Sequence, residues 1–496
     1  MSSRKCLGLD ELRNYNRSLK DYQSTLKKLA DSGEFNPSKF RQFLSTLTVQ
    51  EASKVIECVQ SVGGITRLDV DIPDPDNLIM SLLACSKQII RQKEAAKYGI
   101  ILPPVAIFLI GRPVSILLSA KKVQSIETEP NAKPQFEIEY IDGDEIKKKT
   151  IPLGTFLAEY LVQKPDEIFD QDISALVHRH SAARVRAFLN ACQIPDNIYK
   201  IFDGGIALYA CLNPAAHSPD YLFSDMSCNS YAVTMPKDLE LITDYIRTLV
   251  SVEKRKEFLT HILTQPSEEM MRMGTQQDYS DLVNHFPNCL ISCLVGGPLT
   301  GLLETHRLFP TLTDKVVEFR AMSMAHTGGL NLFGNNFNIM VDPKATIEML
   351  QVFQSLDIQI VCVSSETCKT PNYTVSGPEI RSISSQSGPI SFVGAIIDQW
   401  TNIKGAVQPC YDATVIETID DLVRSVDVVP IQYEWTQNPK VQMSQIPGLE
   451  HTGLAITPIG TALTPDSIYS PGVYITGTTF TDQARDLFLD LFRMLA

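Results

Sequence analysis

The feature that most constrains this 496-residue chain is a rhythm: from residue 65 onward, short β-branched runs alternate with amphipathic stretches of helical spacing. ITRLDVDI precedes a helix predicted over about 77–96, PPVAIFLIG reads as a strand buried on both faces, and GVYITGT precedes the closing helix DQARDLFLDLF. Such alternation implies an α/β fold with a mainly parallel central sheet and helices on both faces. Ligands of these sheets gather at the carboxyl ends of the strands. Four aspartates, Asp69, Asp71, Asp74 and Asp76, lie at one such end in LDVDIPDPDN.

Residues 1–62 read differently, as an N-terminal helical extension. Leu9, Leu12, Leu19, Tyr22, Leu26 and Leu29 predict one amphipathic helix over about 9–30. Asn36-Pro37-Ser38 reads as a second helix start and Thr48-Val-Gln-Glu51 as a capping box for a third, with Gly63-Gly64 closing the layer. These helices pack either on the core of their own chain or on a protein partner or second copy. Residues 63–496 form one domain with insertions at about 121–150, 253–285 and 437–470. In the first, QFEIEYIDGDEIKKKTIPL predicts a β-hairpin turning at Asp142-Gly143. The second is a polar helical excursion, and the third, rich in Pro, Gly, Ser and Thr, a surface excursion.

A net charge of −13 argues against a nucleic-acid partner, and Lys147, Lys148 and Lys149 read as a solvated strand face beside the hairpin turn. No run approaches the ~18 apolar residues of a membrane-spanning helix, and the polar opening is unlike a signal, so a cytoplasmic chain without membrane contact is expected. Eleven cysteines without a Cys-x-x-Cys pair suit reduced, buried thiols, Cys289 and Cys293 among them. His178 and His180, on a polar helix, are expected to face water.

Four aspartates this close repel unless something neutralises them. Asp-Pro-Asp-Asn is either a solvated turn and helix cap or half of a site for a hard cation, which takes six to eight oxygens. Three later segments bear on the choice. LVGGPLT offers backbone carbonyls near Gly296 as neutral ligands; NNFNIMVDPKA sets asparagines before a strand and opens a helix at Asp342-Pro343; QPCYDATVIETI starts an apolar helix at Asp412, where capping alone would account for the aspartate.

In this order and spacing the four segments resemble the nucleoside hydrolase family, enzymes that cleave the N-glycosidic bond of ribonucleosides with a bound Ca²⁺. VGGPLTG, MSM at 322–324, NNFN and VDPKA match the family's spacing without a gap from 295 to 346, and the likeness extends loosely over about 65–118, 180–250 and 286–496. The resemblance implies that Asp71, Asp76 and Asp412 are the calcium carboxylates and that the Gly296 carbonyl is a backbone ligand, with Asp69 as the first aspartate of the run. It also implies that Asp71 orients and deprotonates the attacking water and that Asn338 binds ribose.

The sugar and leaving-group half departs from the family. Pro75 stands where the first of the paired aspartates belongs, with Asp74 the nearest carboxylate. Asn336 replaces the ribose-binding Glu, Arg112 the Asn after the second buried strand, and Leu330 another ribose-contacting Asn, with Asn331 one step on. Tyr411 replaces the His proposed to protonate the departing base and would donate that proton as a weaker acid. Arg112 opposes a cationic transition state and favours an anionic ligand, or pairs with Asp69 or Asp76. Two lost carboxylate–hydroxyl bonds at roughly 1.5–3 kcal/mol each would reduce the rate by about two to four decades. Two readings follow: a Ca²⁺-dependent N-ribohydrolase with altered ribose recognition, or a pseudoenzyme that keeps the fold and binds other proteins.

Overall fold

The structure, a computed structural model, describes residues 8–71, 75–111, 119–123, 135–142, 145–152, 171–207, 253–254, 257, 266–286, 289–324, 338–339, 342–383, 388–404, 408–437 and 452–496. The first described element is a 3-10 turn at Leu9–Arg13, followed by α1 (Leu19–Asp31), α2 (Pro37–Leu44) and α3 (Val49–Gln60). The single helix expected over 9–30 is therefore two pieces. Ser18 caps α1 by accepting from Asp21 N at 3.3 Å, a bond that competes with a continuous helix. Arg17 staples the pieces, donating to Glu11 O at 3.0 Å and Thr25 Oγ1 at 2.8 Å. The other two starts follow the sequence, with Asn36 and Thr48 at the caps and a full capping box at Thr48 and Glu51.

After Gly63-Gly64 come β1 (Ile65–Val70), α4 (Pro75–Ala96) and β2 (Val105–Gly111). β3 (Ser119–Val123), β4 (Gln135–Asp142) and β5 (Glu145–Pro152) make a separate antiparallel three-stranded sheet whose β4–β5 pair is the expected hairpin; Lys147 on it is exposed. The helix Gln171–Ala191 leads to β6 (Tyr199–Ile206), and β7 (Ile291–Val295), β8 (Val316–Met322) and β9 (Gln359–Val363) continue the alternation. β10 (Thr374–Val375) and β11 (Gln408–Pro409) form a small antiparallel pair, and β12 (Val426–Gln437), β13 (Thr452–Pro458) and β14 (Gly472–Phe480) follow.

The central sheet runs β13-β12-β14-β9-β8-β7-β1-β2-β6. From β14 to β6 every neighbouring pair is parallel, and β12 and β13 extend one edge antiparallel. The Pro- and Gly-rich stretch expected as a surface excursion thus supplies an edge strand, β13, where a missing ladder donor does little harm. Parallel strands covered on both faces are mostly apolar, and β1, β2, β7, β8 and β9 are buried along their whole length, the charges on β1 and β8 being paired as Arg67 with Asp69 and Arg320 with Glu318. Their alternating side chains feed two cores: Leu68, Val70, Ile107 and Leu109 face one, and Ile65, Phe108, Val295 and Phe319 the other.

The extension joins the first of these cores through Leu12, Tyr22, Phe40, Leu44, Leu47, Val55 and Val59. Its backbone is tied to the far end of the chain, with Val49 N on Ser467 O at 2.8 Å, Gln50 N on Pro465 O at 3.0 Å and Tyr469 N on Leu47 O at 2.8 Å. Arg41 Nη1 reaches Asp314 O and Val316 O at 2.7 and 3.0 Å. The extension therefore packs on its own chain.

Candidate functional site

β1 is central, flanked by β2 and β7, so its carboxyl end opens onto the edge where ligands of such sheets bind. The turn after β7 is zipped to that end: Gly296 N and Gly297 N both donate to Asp69 O, at 2.8 and 3.1 Å. A Cβ on Gly296 would lie 2.8 Å from Asp412 Cγ and 3.0 Å from Asn77 Oδ1, and one on Gly297 would lie 3.0 Å from Asp71 N and 3.2 Å from its Cβ. Two glycines are needed here because the turn passes between residues of the opening βα junction and one from late in the chain.

Asp71, Asp76 and Asp412 are all buried, at 3%, 5% and 4% exposure. Asp76 sits in the first turn of α4, where the helix dipole favours a carboxylate. Asp412 precedes a 3-10 turn, Ala413–Ile416, held by Arg320 Nε on Val415 O at 3.1 Å and Lys87 Nζ on Ile416 O at 2.9 Å. Burial first, and the fields of Asp412 and Asp76 besides, push the Cys368 and Cys410 thiols well up, so both carboxylates act on one neighbourhood and both thiols stay unreactive.

Asn77, which the sequence analysis passed over, is 1% exposed and donates from Nδ2 to Asp71 Oδ1 at 3.0 Å. Its Oδ1 is buried without a hydrogen-bond partner, on the side of Gly296 and Asp412. Among the described residues no three His, Cys, Asp or Glu side chains are grouped so as to hold a metal by themselves. Two acidic side chains flanking the turn, an orphaned amide oxygen and a nearby carbonyl nevertheless make a set of hard oxygens, the donor chemistry Ca²⁺ takes. Asn338 Nδ2 donates to that carbonyl, Gly296 O, at 2.8 Å and to Met322 O at 3.0 Å, so its amide hydrogens clamp the ends of β7 and β8 together.

Asp69 faces away from this group. Arg67, two residues earlier and on the same face of β1, grips it with Nε on Oδ2 at 2.6 Å and Nη2 on Oδ1 at 2.9 Å, both side chains fully buried. The guanidinium lies 3.7 Å over the Phe108 ring and donates to Thr305 Oγ1 at 2.8 Å. Burial opposes its charge, but Asp69 outweighs this and holds its pKa above the ordinary value. Arg67 thus takes the place at Asp69 considered for Arg112. The signal was available in Arg-x-Asp inside an otherwise apolar strand, since a buried charge must find a partner.

Tyr411 is half-buried against the first core, next to Asp412. Asp74, Arg112, Asn336, Leu330 and Asn331 lie outside the described residues. Asp342 caps the helix Pro343–Ser355, accepting from Ala345 N at 3.0 Å, and takes a second bond from Thr300 at 2.7 Å. His178 and His180, expected in water, are buried at 5% and 0% because the helix Gln171–Ala191 packs against the sheet. His178 Nε2 pairs with Asp203 Oδ1 at 3.0 Å, and burial, with Arg184 nearby, lowers the His180 pKa to about 3. Eight described cysteines are free thiols, all but Cys58 buried.

No family model and no curated protein matches the sequence. Solved structures do resemble the chain in overall path. An inosine-guanosine nucleoside hydrolase is 11% identical with a TM-score of 0.45, the alignment covering 87% of this chain and 98% of that one. A plant nucleoside hydrolase is 12% identical with a TM-score of 0.42, covering 87% and 99%. The type III effector protein XopQ, solved with adenosine diphosphate ribose, is 10% identical with a TM-score of 0.43, covering 88% and 95%.

Proposed function

We propose that this protein is a divergent, calcium-binding N-ribohydrolase whose activity on ordinary ribonucleosides is weak. The observation that carries the reading is that Asp412 and the orphaned Asn77 Oδ1 lie against Gly296 while Asp71, held by Asn77 Nδ2, lies against the next glycine, Gly297. Asp71, Asp76, Asp412 and the Gly296 carbonyl would hold the cation, with Asn77 Oδ1 as an added oxygen. A bound cation neutralises the carboxylates and makes a nearby water more acidic.

In this reading Asp71 orients that water and takes its proton, and Asn77 Nδ2 fixes the Asp71 rotamer. Tyr411 gives a proton to the departing base, and its ordinary pKa near 10 makes it a poorer acid at neutral pH than His. Asp74, Asn336, Asn338 and Arg112 would meet the sugar or an anionic group on it. An arginine at position 112 would favour an acidic or phosphorylated ligand.

A second reading, a fold retained without catalysis, is favoured by a separate observation: amide donors already sit on Asp71 Oδ1 and on the Gly296 carbonyl. Incubating the purified protein with Ca²⁺ and a panel of ribonucleosides and nucleotides, while following base release, decides between them. Slow release lost in Asp71→Asn is expected. Calcium retention with no release across the panel would overturn the hydrolase reading for those substrates.

A further inference from the structure

Asp412 stands at the start of the short 3-10 turn Ala413–Ile416, an element too short to hold its own shape by backbone bonds. The aspartate makes no side-chain cap bond to that turn, so capping does not account for it. Val415 N donates to Asp412 O at 3.0 Å and Glu417 N to Thr414 O at 3.2 Å, which leaves the carbonyls of Val415 and Ile416 as the orphans of the turn's carboxyl end. Two cations from different elements take them. Arg320 Nε of β8 donates to Val415 O at 3.1 Å, and Lys87 Nζ of α4 donates to Ile416 O at 2.9 Å.

Each cation stands on an element that also serves another part of the acidic site. Lys87 lies about three turns along α4 from Asp76 and Asn77. Arg320, buried and paired with Glu318, lies two residues before Met322, whose carbonyl shares the Asn338 amide with Gly296 O. Lys87 is half-buried; burial lowers its pKa, while Glu57 on α3 and Asp421 beyond the turn favour its charged form. Positive groups suit this end of the turn, because its carbonyls carry the negative end of the backbone dipole and bond a charged donor more strongly than a neutral one.

We infer that Lys87 and Arg320 are positioning residues for Asp412: by holding the turn that follows it, they set its carboxylate against Gly296 and Asn77 and so determine the affinity of the site for calcium. This role rests on the calcium reading of the acidic site. Its sign separates position from charge. By charge alone, removing a cation from the neighbourhood of a divalent ion would tighten binding. Removing the support of a ligand weakens it, commonly by tenfold or more.

Two measurements on the full-length protein test this: calorimetric titration with calcium, and hydrogen exchange over residues 412–418 in the calcium-free state. Lys87→Met should raise the calcium Kd about tenfold and quicken exchange in that segment, and Lys87→Arg, which keeps a charged donor, should stay within about twofold of the parent in both. If Lys87→Met does not fold, Arg320→Lys, which keeps the charge beside Glu318 but loses the Nε donor, should show the same two changes. Calcium bound by the folded variant as tightly as by the parent or more so, or exchange unchanged, would overturn the positioning role and leave the calcium reading standing. A parent that binds no calcium would overturn both.

Discussion

At the scale of single residues, position in the sheet decides what a charge can do. Arg67 and Asp69 occupy alternate positions of a strand buried on both faces, and each is tolerable only because of the other. Arg67→Met should cost about 3–5 kcal/mol in urea unfolding by leaving Asp69 buried and unpaired, whereas Arg67→Met with Asp69→Leu should recover most of that loss. Equal losses in the single and double variants would mean that packing against Phe108, not charge pairing, sets the effect. The same partner rule could have identified Arg67 in the sequence. The roles of His178 and Asn77 could not be read in that way, because polar residues on a helix reveal their burial only once the neighbouring elements are in place.

At the scale of elements, the segment from Asp412 to Thr418 connects the acidic site to the cores. Glu417 within it is 1% exposed and accepts from Tyr373 at 2.9 Å. Burial, reinforced by Asp421, raises its pKa from 4.5 to about 8. The folded chain then holds a proton there that the unfolded chain releases, so Glu417 contributes stability fully present below about pH 4.5 and lost as pH rises through about 8. Glu417→Gln should therefore lose less stability than the parent between pH 5.5 and 8.5, measured as the shift in urea midpoint; parallel shifts would refute the assignment. Local chemistry made many element boundaries legible: the caps at Asn36 and Thr48 and the hairpin flanking Asp142-Gly143 stand where their side chains and turn residues require. The break at 14–18 was not legible, since apolar spacing continues across it and only the Ser18 cap and the Arg17 staple interrupt the helix.

For the whole molecule, the alternation of buried strands and helices was enough to give the parallel sheet, because strands covered on both faces leave long apolar runs. The edge was harder: β13 comes from a stretch rich in Pro and Gly, and edge strands tolerate what central strands do not. Of the site, the aspartates and the paired glycines were visible as residue types at a strand end. That residues so far apart in sequence line one turn is a product of strand order, which brings β7 beside β1, and of the Asp412 turn packing on α4, β7 and β8. This arrangement is the centre of the account. Calorimetric titration of calcium into full-length protein stripped with chelator tests it most directly: one site per chain is expected, abolished in Asp71→Asn and in Asp412→Asn. An absence of binding heat, or binding undiminished in both variants, would contradict it.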